Sequence, residues 1–311
     1  MTVSEGFSHQ ALFYRDEREF LDGTAAFIHD GIEAGEPLLV AVSEHKIGLL
    51  KARLNGDADR VRFVEMTSLG RNPARIISIW RDFVEEAAGR PLRGIGEPAW
   101  PGRSEAEFSE CDRHESLLNA AFAGPVGEGF SLLCPYDTQG LDRDVLDAAR
   151  RNHPQVVDRR GSAASPDYVS PATAPDAFSG DLPAPPPDAE RVEFADGTLD
   201  SVRRFVWAHA HGAGLEPRAQ GDVVLAVHEL AANSICYGGG RGSVSVWEEP
   251  GALICQVEDA GRFDDPLVGR RRPDGFAETG RGLWIVNQLC DLVQIRSGPT
   301  GSVVRVRVET R

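Results

Sequence analysis

The segment HELAANSICYGGG carries a carboxylate, Glu229, and an amide, Asn233, one helical turn apart. Side chains at positions i and i+4 of a helix lie on the same face, so these two groups converge on one point. The apolar stripe formed by Val223, Val227 and Leu230 occupies a neighbouring face. Hard oxygen ligands suit Mg²⁺, which takes its other ligands from water and phosphate. The pair predicts either a magnesium site or a solvated Glu beside a helix-terminal Asn.

A second carboxylate, Asp259, follows the apolar run LICQVE, and Gly261 comes two residues later. A carboxylate at the end of a strand can accept a hydrogen bond from an exocyclic amine, such as that of adenine. Glycine lets the chain turn sharply past a ligand. Asp-x-Gly is also common in ordinary turns, so this motif alone does not separate the two interpretations.

Two further glycine motifs follow. Gly280 and Gly282 open a predicted helix in TGRGLWIVNQLCD. The free backbone N–H groups and the dipole at such a helix start favour a bound phosphate. Gly301 and Ser302 begin the last predicted strand, where they either approach the same ligand or form a plain hairpin turn.

The succession of these motifs is more specific than any one of them. Over about residues 190–311 it resembles the GHKL family of ATP-binding domains, which includes gyrase, heat-shock chaperone, histidine kinase and mismatch-repair ATPases. The stretch GRGLWIVNQLCD and the short segment between the second and third motifs resemble the serine-kinase branch, the anti-sigma factors. This resemblance implies an α+β two-layer sandwich that binds ATP and Mg²⁺.

The resemblance also implies roles for individual residues. Asn233 would bind Mg²⁺, and Glu229 would act as the catalytic base or orient a water molecule. Asp259 would contact the adenine amine. The other residues of the implied nucleotide site are Gly261, Gly280, Arg281, Gly282, Leu283 and Ser302.

The sequence departs from the family at one position. The second motif usually reads Asp-x-Gly-x-Gly, but its fifth position here is Phe263. The lost backbone freedom puts the geometry of the following lid, residues 264–280, and the turnover of ATP in doubt. Within that lid, Arg270, Arg271 and Arg272 either contact phosphates or belong to a solvated loop.

The first half of the chain contains no phosphate loop of the form G-x-x-x-x-G-K-[ST] within residues 1–160. Several polar or reactive side chains nevertheless fall near predicted strand ends. If three or more of them meet beyond the sheet edge, they form a ligand pocket; each alone fits a structural role. These residues are His9, Glu97, Trp100, Glu115, Cys134, Tyr136, Asp137 and His153. A metal ion at Cys134, His9 and His153 is conceivable, but their spacing does not support it.

The stretches HQALFY, GEPLLVAV, GEPAW, HESLLN and LLCPYD resemble the MEDS family, the methanogen/methylotroph sensory domain, over about residues 5–157. The resemblance implies a sensor of a small organic molecule. Its fold would be the α/β fold of nucleotide hydrolases without the phosphate loop.

The predicted elements fit two different architectures. In the first domain, short β-rich runs alternate with amphipathic helices, which predicts an α/β fold with a mainly parallel sheet covered on both faces. In the second domain, helices should cover one face of an antiparallel sheet. Residues 161–190 hold seven prolines and predict a semi-rigid linker between domains 1–160 and 191–311.

Composition narrows the functional classes. The net charge of −15 disfavours direct binding to nucleic acid or anionic membrane. No apolar run approaches the roughly 20 residues of a membrane span, and the start lacks signal-peptide features. The scattered odd set of cysteines indicates reduced core residues in a cytoplasmic protein. These are Cys111, Cys134, Cys236, Cys255 and Cys290.

Together these features predict a cytoplasmic regulator in which a small-molecule sensor controls an ATP-dependent serine/threonine kinase. Its partners would be a sigma factor and an anti-sigma antagonist, and it could pair as a homodimer. Two alternatives stay open: an ATP- or partner-binding module without turnover, and an atypical histidine kinase. The proline-rich linker cannot form the long helical hairpin that a standard histidine kinase needs.

Overall fold

The computed structural model describes residues 6–170, 177–273 and 280–310. The chain divides into two units, Met1–Ala174 and Pro175–Arg311. Among the described residues, no helix combines the length and hydropathy needed to cross a bilayer.

The first unit is built on a seven-stranded sheet in the order β3-β2-β4-β5-β1-β6-β7. The strand pairs are parallel except β6 with β7, which confirms the prediction of a mainly parallel sheet. The strands are β1 (Ser8–Tyr14), β2 (Leu38–Val42), β3 (Arg62–Glu65), β4 (Leu92–Gly96), β5 (Phe130–Asp137), β6 (Gln155–Asp158) and β7 (Gly161–Ala164).

Helices connect these strands and cover both faces of the sheet. They are α1 (Glu17–Ala34), α2 (Glu44–Leu54), α3 (Met66–Leu69), α4 (Ile76–Ala87), α5 (Glu105–Ala121) and α6 (Arg143–Asn152). Apolar residues of α1 and α2 pack with one face of β1, β2, β4 and β5. On the other face of the sheet, Trp80 of α4 packs against β4. A Cβ atom at Gly94 would lie 2.7 Å from the Trp80 indole, and a Cβ atom at Gly96 would lie 2.8 Å from it. Glycine at these two positions therefore makes room for the ring.

Local sequence explains where the first-unit helices start. Asp16 caps α1 by accepting a hydrogen bond from the backbone N–H of Glu19. Ser104 and Glu107 form a reciprocal capping box at the start of α5. Such caps satisfy backbone donors that have no partner within the helix.

The second unit is a five-stranded antiparallel sheet in the order β11-β12-β10-β9-β8. Its strands are β8 (Glu190–Ala195), β9 (Arg241–Glu249), β10 (Ala252–Asp259), β11 (Leu292–Gly298) and β12 (Gly301–Glu309), and its helices are α7 (Leu199–Gly212), α8 (Pro217–Tyr237) and α9 (Arg281–Leu289). Alternate residues of β10, such as Cys255 and Val257, pack with the helices, whereas Ile254 joins a separate cluster with Trp247. The predicted two-layer α+β sandwich is confirmed.

The segment between the predicted domains differs from the expected linker at both ends. Gly161–Ala164 pairs with β6 as the last strand of the first sheet, and all four of its residues are exposed. An edge strand needs only backbone hydrogen bonds, so the absence of large apolar side chains does not prevent it. Further along, Phe178 is buried, and Arg305 Nη2 donates to the Pro183 carbonyl at 2.5 Å. This part of the segment packs on the second unit.

Candidate functional site

Glu229 and Asn233 lie on one face of α8 and meet the start of α9. A Cβ atom at Gly282 would lie 3.0 Å from Glu229 Oε2 and 3.1 Å from Asn233 Nδ2. Both side chains are half-buried, and the core contacts of α8 come from its apolar stripe. The structure therefore places the polar pair against a glycine-opened helix, as the spacing of the motifs predicts.

Asp259 ends β10 and is held by neighbouring groups. Ser234 Oγ donates to Asp259 Oδ2 at 2.5 Å, and the backbone N–H of Gly261 donates to Asp259 Oδ1 at 2.7 Å. A Cβ atom at Gly238 would lie 2.5 Å from the carboxylate carbon. The carboxylate is thus fixed between the end of α8 and its own turn, and no larger residue fits at position 238 without displacing it.

The start of β12 closes the same region. Ser302 pairs with Asp259 in the sheet register, and its Oγ donates to the Gly261 carbonyl at 2.7 Å. At Gly301, where φ is +128°, a Cβ atom would lie 2.1 Å from the Asp259 carbonyl oxygen. Only glycine allows this close approach of the two strands.

These elements enclose a cavity of about 430 Å³, within the usual range for small-molecule sites. The predicted residues that line it are Asn233, Asp259, Gly261, Gly280, Gly282, Leu283 and Ser302. Gly280 is the residue before α9, with φ of +85°, a conformation that favours glycine, and it lines the cavity together with Gly282. Glu229 and Arg281 are not among the lining residues; Glu229 lies behind Gly282 and Arg281 is exposed.

Phe263, the residue that departs from the family pattern, is held in place by contacts with two other residues. The Phe263 ring lies 5.6 Å from that of Phe178, and its backbone N–H donates to Ser297 Oγ at 3.0 Å. Phe263 also lines the cavity. The turn after Gly261 is therefore held against β11.

Two arginines of the run at positions 270–272 interact with or are buried among other groups of the protein. Arg271 forms an ion pair with Asp265, and Arg270 is buried. Residues 274–279 of the expected lid lie outside the described residues. A phosphate contact by these arginines stays a prediction.

Sequence reasoning missed several residues around the cavity. Ser234 orients Asp259, and Tyr237 and Gly238 line the cavity. The run of three glycines at positions 238–240 was a signal that the chain passes close to another group, whereas Ser234 gave none, because Ser inside a helix usually bonds its own backbone.

In the first unit, four of the eight predicted sensor residues form one buried cluster. His9 Nε2 lies 3.0 Å from Glu115 Oε2, and His153 Nε2 lies 3.4 Å from the same oxygen. Cys134 Sγ lies 3.5 Å from His9 Nε2 and 3.7 Å from Glu115 Oε2. The Tyr136 ring packs edge-on against His153, with 5.6 Å between centroids.

The cluster lies in a different place from the expected pocket. His9 and Cys134 are inside their strands, not beyond the carboxyl ends, and they share a sheet face because His9 pairs with Leu132, two residues before Cys134. Below them, α5 supplies Glu115, and the residue after α6 is His153. The cluster is therefore built on a sheet face.

Burial controls the charges in this cluster. It lowers the pKa of His9 to about 4, an effect that His153 reinforces. Burial also raises the pKa of Cys134 well above its usual value, and Glu115 adds to this. Burial also raises the pKa of the Glu115 carboxyl, but its interactions with His153 and His9 outweigh burial and hold that pKa well below its usual value.

Glu97 belongs to a separate network at the carboxyl edge of the sheet. It accepts a hydrogen bond from Tyr14 Oη at 2.9 Å and forms an ion pair with Lys46. Burial raises the pKa of Glu97, and Lys46 and Tyr14 oppose this effect. Sequence analysis identified neither of these two partners.

The last two predicted sensor residues lie apart from the cluster. The Trp100 ring stacks on the Arg103 guanidinium at 3.5 Å. Asp137 accepts hydrogen bonds from the backbone N–H groups of Gln139 and Gly140. The eight residues therefore do not form a single pocket.

A second cavity, of about 570 Å³, reaches the buried cluster. Glu115 and Tyr136 line it together with parts of α5 and α6. A small molecule in this cavity would contact Glu115 and Tyr136.

Family models match a part of each unit. Residues 192–308 match the family described as the histidine kinase-like ATPase domain, so the second unit carries a domain of that class. Residues 8–154 match the MEDS family, the methanogen/methylotroph, DcmR sensory domain. The chain thus joins a MEDS domain to a histidine kinase-like ATPase domain.

Two solved structures show partial similarity. The RsbU and RsbW domains of Rv1364c from Mycobacterium tuberculosis share 15% identity over 39% of this chain and 32% of that chain, with a TM-score of 0.30. The Acinetobacter baumannii histidine kinase AdeS shares 15% identity over 39% of this chain and 68% of that chain, with a TM-score of 0.25. This chain thus aligns with about a third of the RsbU–RsbW structure. No curated protein matches the chain significantly.

Proposed function

We propose that the protein is a cytoplasmic signalling regulator in which the MEDS domain senses a small organic molecule and controls an ATP-dependent serine/threonine kinase. The kinase would phosphorylate an anti-sigma antagonist. The phosphorylation state of that antagonist would decide whether this protein sequesters a sigma factor. The observation that carries this proposal is the ATPase-class domain whose Asn233, Asp259 and Gly282 meet at one cavity. The odd, scattered set of five cysteines favours a reducing compartment.

The residues present fit a magnesium–nucleotide complex, which supplies a transferable phosphoryl group when bound. Asn233 offers an oxygen to the metal ion, and Asp259 offers an acceptor to the adenine amine. The backbone N–H groups that follow Gly280 and Gly282 would bind the phosphates. Glu229, whose carboxylate lies beside Gly282, would accept a proton from the attacking group or orient it.

Labelled ATP tests the kinase claim. The full chain is incubated with Mg²⁺ and candidate antagonist proteins, and the expected product is acid-stable label on Ser or Thr of one antagonist. Glu229→Gln should remove the label while keeping ATP binding. Binding of ATP without label on any candidate would count against a kinase. Acid-labile label on the chain itself would instead identify a histidine kinase.

A second candidate is an ATP-binding module without turnover, and the anchored Phe263 favours it. Glycine at this position would allow the turn to open, whereas Phe263 is held by Phe178 and Ser297. Calorimetry with ATP and Mg²⁺, run beside an assay for released phosphate, separates the two candidates. Binding without product supports the silent module, and steady release of phosphate or labelled antagonist supports the kinase.

The partner proposals need their own measurement. A pull-down with the full chain, with and without ATP, should capture a sigma factor and its antagonist in a nucleotide-dependent ratio. Light scattering of the purified chain tests the proposed homodimer.

A further inference from the structure

The cluster of His9, Glu115, Cys134 and His153 has the composition of a transition-metal site. The four possible ligand atoms all lie within 4.8 Å of one another, and every residue is buried. Imidazole, thiolate and carboxylate are the ligands that zinc takes in proteins, whereas Mg²⁺ and Ca²⁺ prefer oxygen alone.

Four of the six separations between these atoms lie near the edge length of a metal-centred tetrahedron. Zinc–ligand bonds of about 2.0–2.3 Å give ligand–ligand separations of roughly 3.3–3.6 Å. The two imidazole nitrogens lie 3.0 and 3.4 Å from Glu115 Oε2, and the thiol sulfur lies 3.5 Å from His9 Nε2. Small shifts of side chains therefore suffice to receive one ion.

Both histidines are oriented by their second ring nitrogen. His153 Nδ1 lies 2.7 Å from the Ala149 carbonyl oxygen. Because a carbonyl oxygen only accepts, the Nδ1 atom carries the ring proton and donates this hydrogen bond. His9 Nδ1 lies 3.1 Å from Asn119 Oδ1, which is free to accept because Asn119 Nδ2 donates to the Asn152 carbonyl. Metal-binding histidines are held in this way by a carbonyl or a carboxylate.

This orientation leaves the Nε2 lone pairs of His9 and His153 facing a carboxylate oxygen. Within the described residues, His153 Nε2 and Glu115 Oε1 are buried without a hydrogen-bond partner. A buried polar atom without a partner is costly, and a cation bound at this cluster would give His153 Nε2 its partner. A metal ion satisfies both imidazoles and the carboxylate at once.

We propose that the MEDS domain binds one divalent transition-metal ion of the zinc class through His9 Nε2, His153 Nε2, Glu115 and Cys134 Sγ. The cavity that reaches Glu115 and Tyr136 provides the route for the ion. The binding step transfers the Cys134 thiol proton to solvent as the metal–sulfur bond forms.

The test uses the full chain, stripped of metal with a chelator and titrated with Co²⁺ in the absence of nucleotide. We expect about one Co²⁺ per chain, with a thiolate-to-cobalt charge-transfer band and the visible bands of a tetrahedral ion. Zn²⁺ should displace the Co²⁺ and remove both features. Failure of the wild-type chain to bind close to one equivalent would overturn the proposal.

Two variants and a matched control locate the site. Cys134→Ser should abolish the charge-transfer band, and His153→Gln should weaken Co²⁺ binding at least about tenfold. Cys111→Ser is the control, because Cys111 is also buried in this unit but donates to the Pro98 carbonyl and lies outside the cluster. A band that persists in Cys134→Ser, or disappears in Cys111→Ser, would contradict the assignment.

X-ray absorption of the zinc-loaded wild-type chain keeps the proposal testable if a variant does not fold. One sulfur with nitrogen or oxygen ligands is the expected shell. A shell without sulfur would exclude Cys134.

Discussion

Ser234 Oγ donates a hydrogen bond to Asp259 Oδ2 across 2.5 Å, which joins the end of α8 to the end of β10. The contact is made by a residue next to Asn233 in sequence, so one turn of helix contributes both a proposed metal ligand and the support of the proposed adenine contact. Any shift of α8 against the sheet would move both groups together.

Asn233→Ala should remove Mg²⁺-dependent nucleotide binding. We expect affinity for ATP with Mg²⁺ to fall at least about tenfold, which is roughly 1.4 kcal/mol. Stability should change little, because Asn233 is only half-buried and lies outside the apolar stripe. Calorimetry with and without EDTA measures the Mg²⁺-dependent part of binding, and an unchanged value would remove the metal assignment.

Asp259→Asn should reduce the preference for ATP over GTP, since the amide replaces a charged acceptor of the adenine amine. A loss of about tenfold in the ratio of the two affinities is expected. The same substitution at Asp264, an exposed carboxylate that lines the same cavity, is the control and should leave the ratio unchanged. Equal effects of the two substitutions would argue against a specific adenine contact.

Gly282→Ala should weaken nucleotide binding without lowering stability. The added methyl group would lie 3.0 Å from Glu229 Oε2 and 3.1 Å from Asn233 Nδ2, so these side chains must move. Gly221→Ala in α8 is a matched control, because a Cβ atom there meets nothing within 4 Å. Alanine in a helix is favoured over glycine by roughly 0.5–1 kcal/mol, so only ATP affinity should distinguish the two variants. Equal ATP affinities would contradict the proposed site.

The stability of the second unit should fall at alkaline pH because of Cys255. Burial raises the pKa of this thiol from 9.0 to about 12. The unfolded chain therefore loses the proton first, and the contribution to stability is complete below about pH 9 and lost as pH rises towards 12. In Cys255→Ala, the loss of stability between pH 8 and 10 should be smaller by about 1.4 kcal/mol.

Denaturant unfolding at the two pH values measures this difference. Cys236→Ala serves as the control, because this thiol is exposed in the folded chain. Identical pH dependence in wild type and Cys255→Ala would show that the thiol does not contribute.

A thiol reagent should modify the native chain at Cys236 alone. The other four cysteines are buried, whereas Cys236 is exposed near the end of α8. Peptide mapping after brief alkylation should find one labelled site, and denaturant should release the remaining four. Early labelling of Cys134 or Cys255 would show that the buried cores open more readily than their packing indicates.

The sequence by itself determined both fold classes and half of the residues that line the cavity of the second unit. Helical spacing places Glu229 beside Asn233, and the glycine motifs mark where backbone must approach closely, because these properties act over one or two turns of chain. Strand–helix alternation indicated a parallel sheet in the first unit, and strand–turn–strand patterns indicated an antiparallel sheet in the second.

Only the tertiary structure decided which distant residues meet. The cluster of His9, Glu115, Cys134 and His153 draws on β1, α5, β5 and the residue after α6, and the β1–β5 register and the packing of α5 bring these residues together. The same packing keeps Glu97 apart and gives it Tyr14 and Lys46 as partners. Sheet register and helix docking are set by the sum of many weak apolar contacts, and no local pattern in the chain encodes that sum.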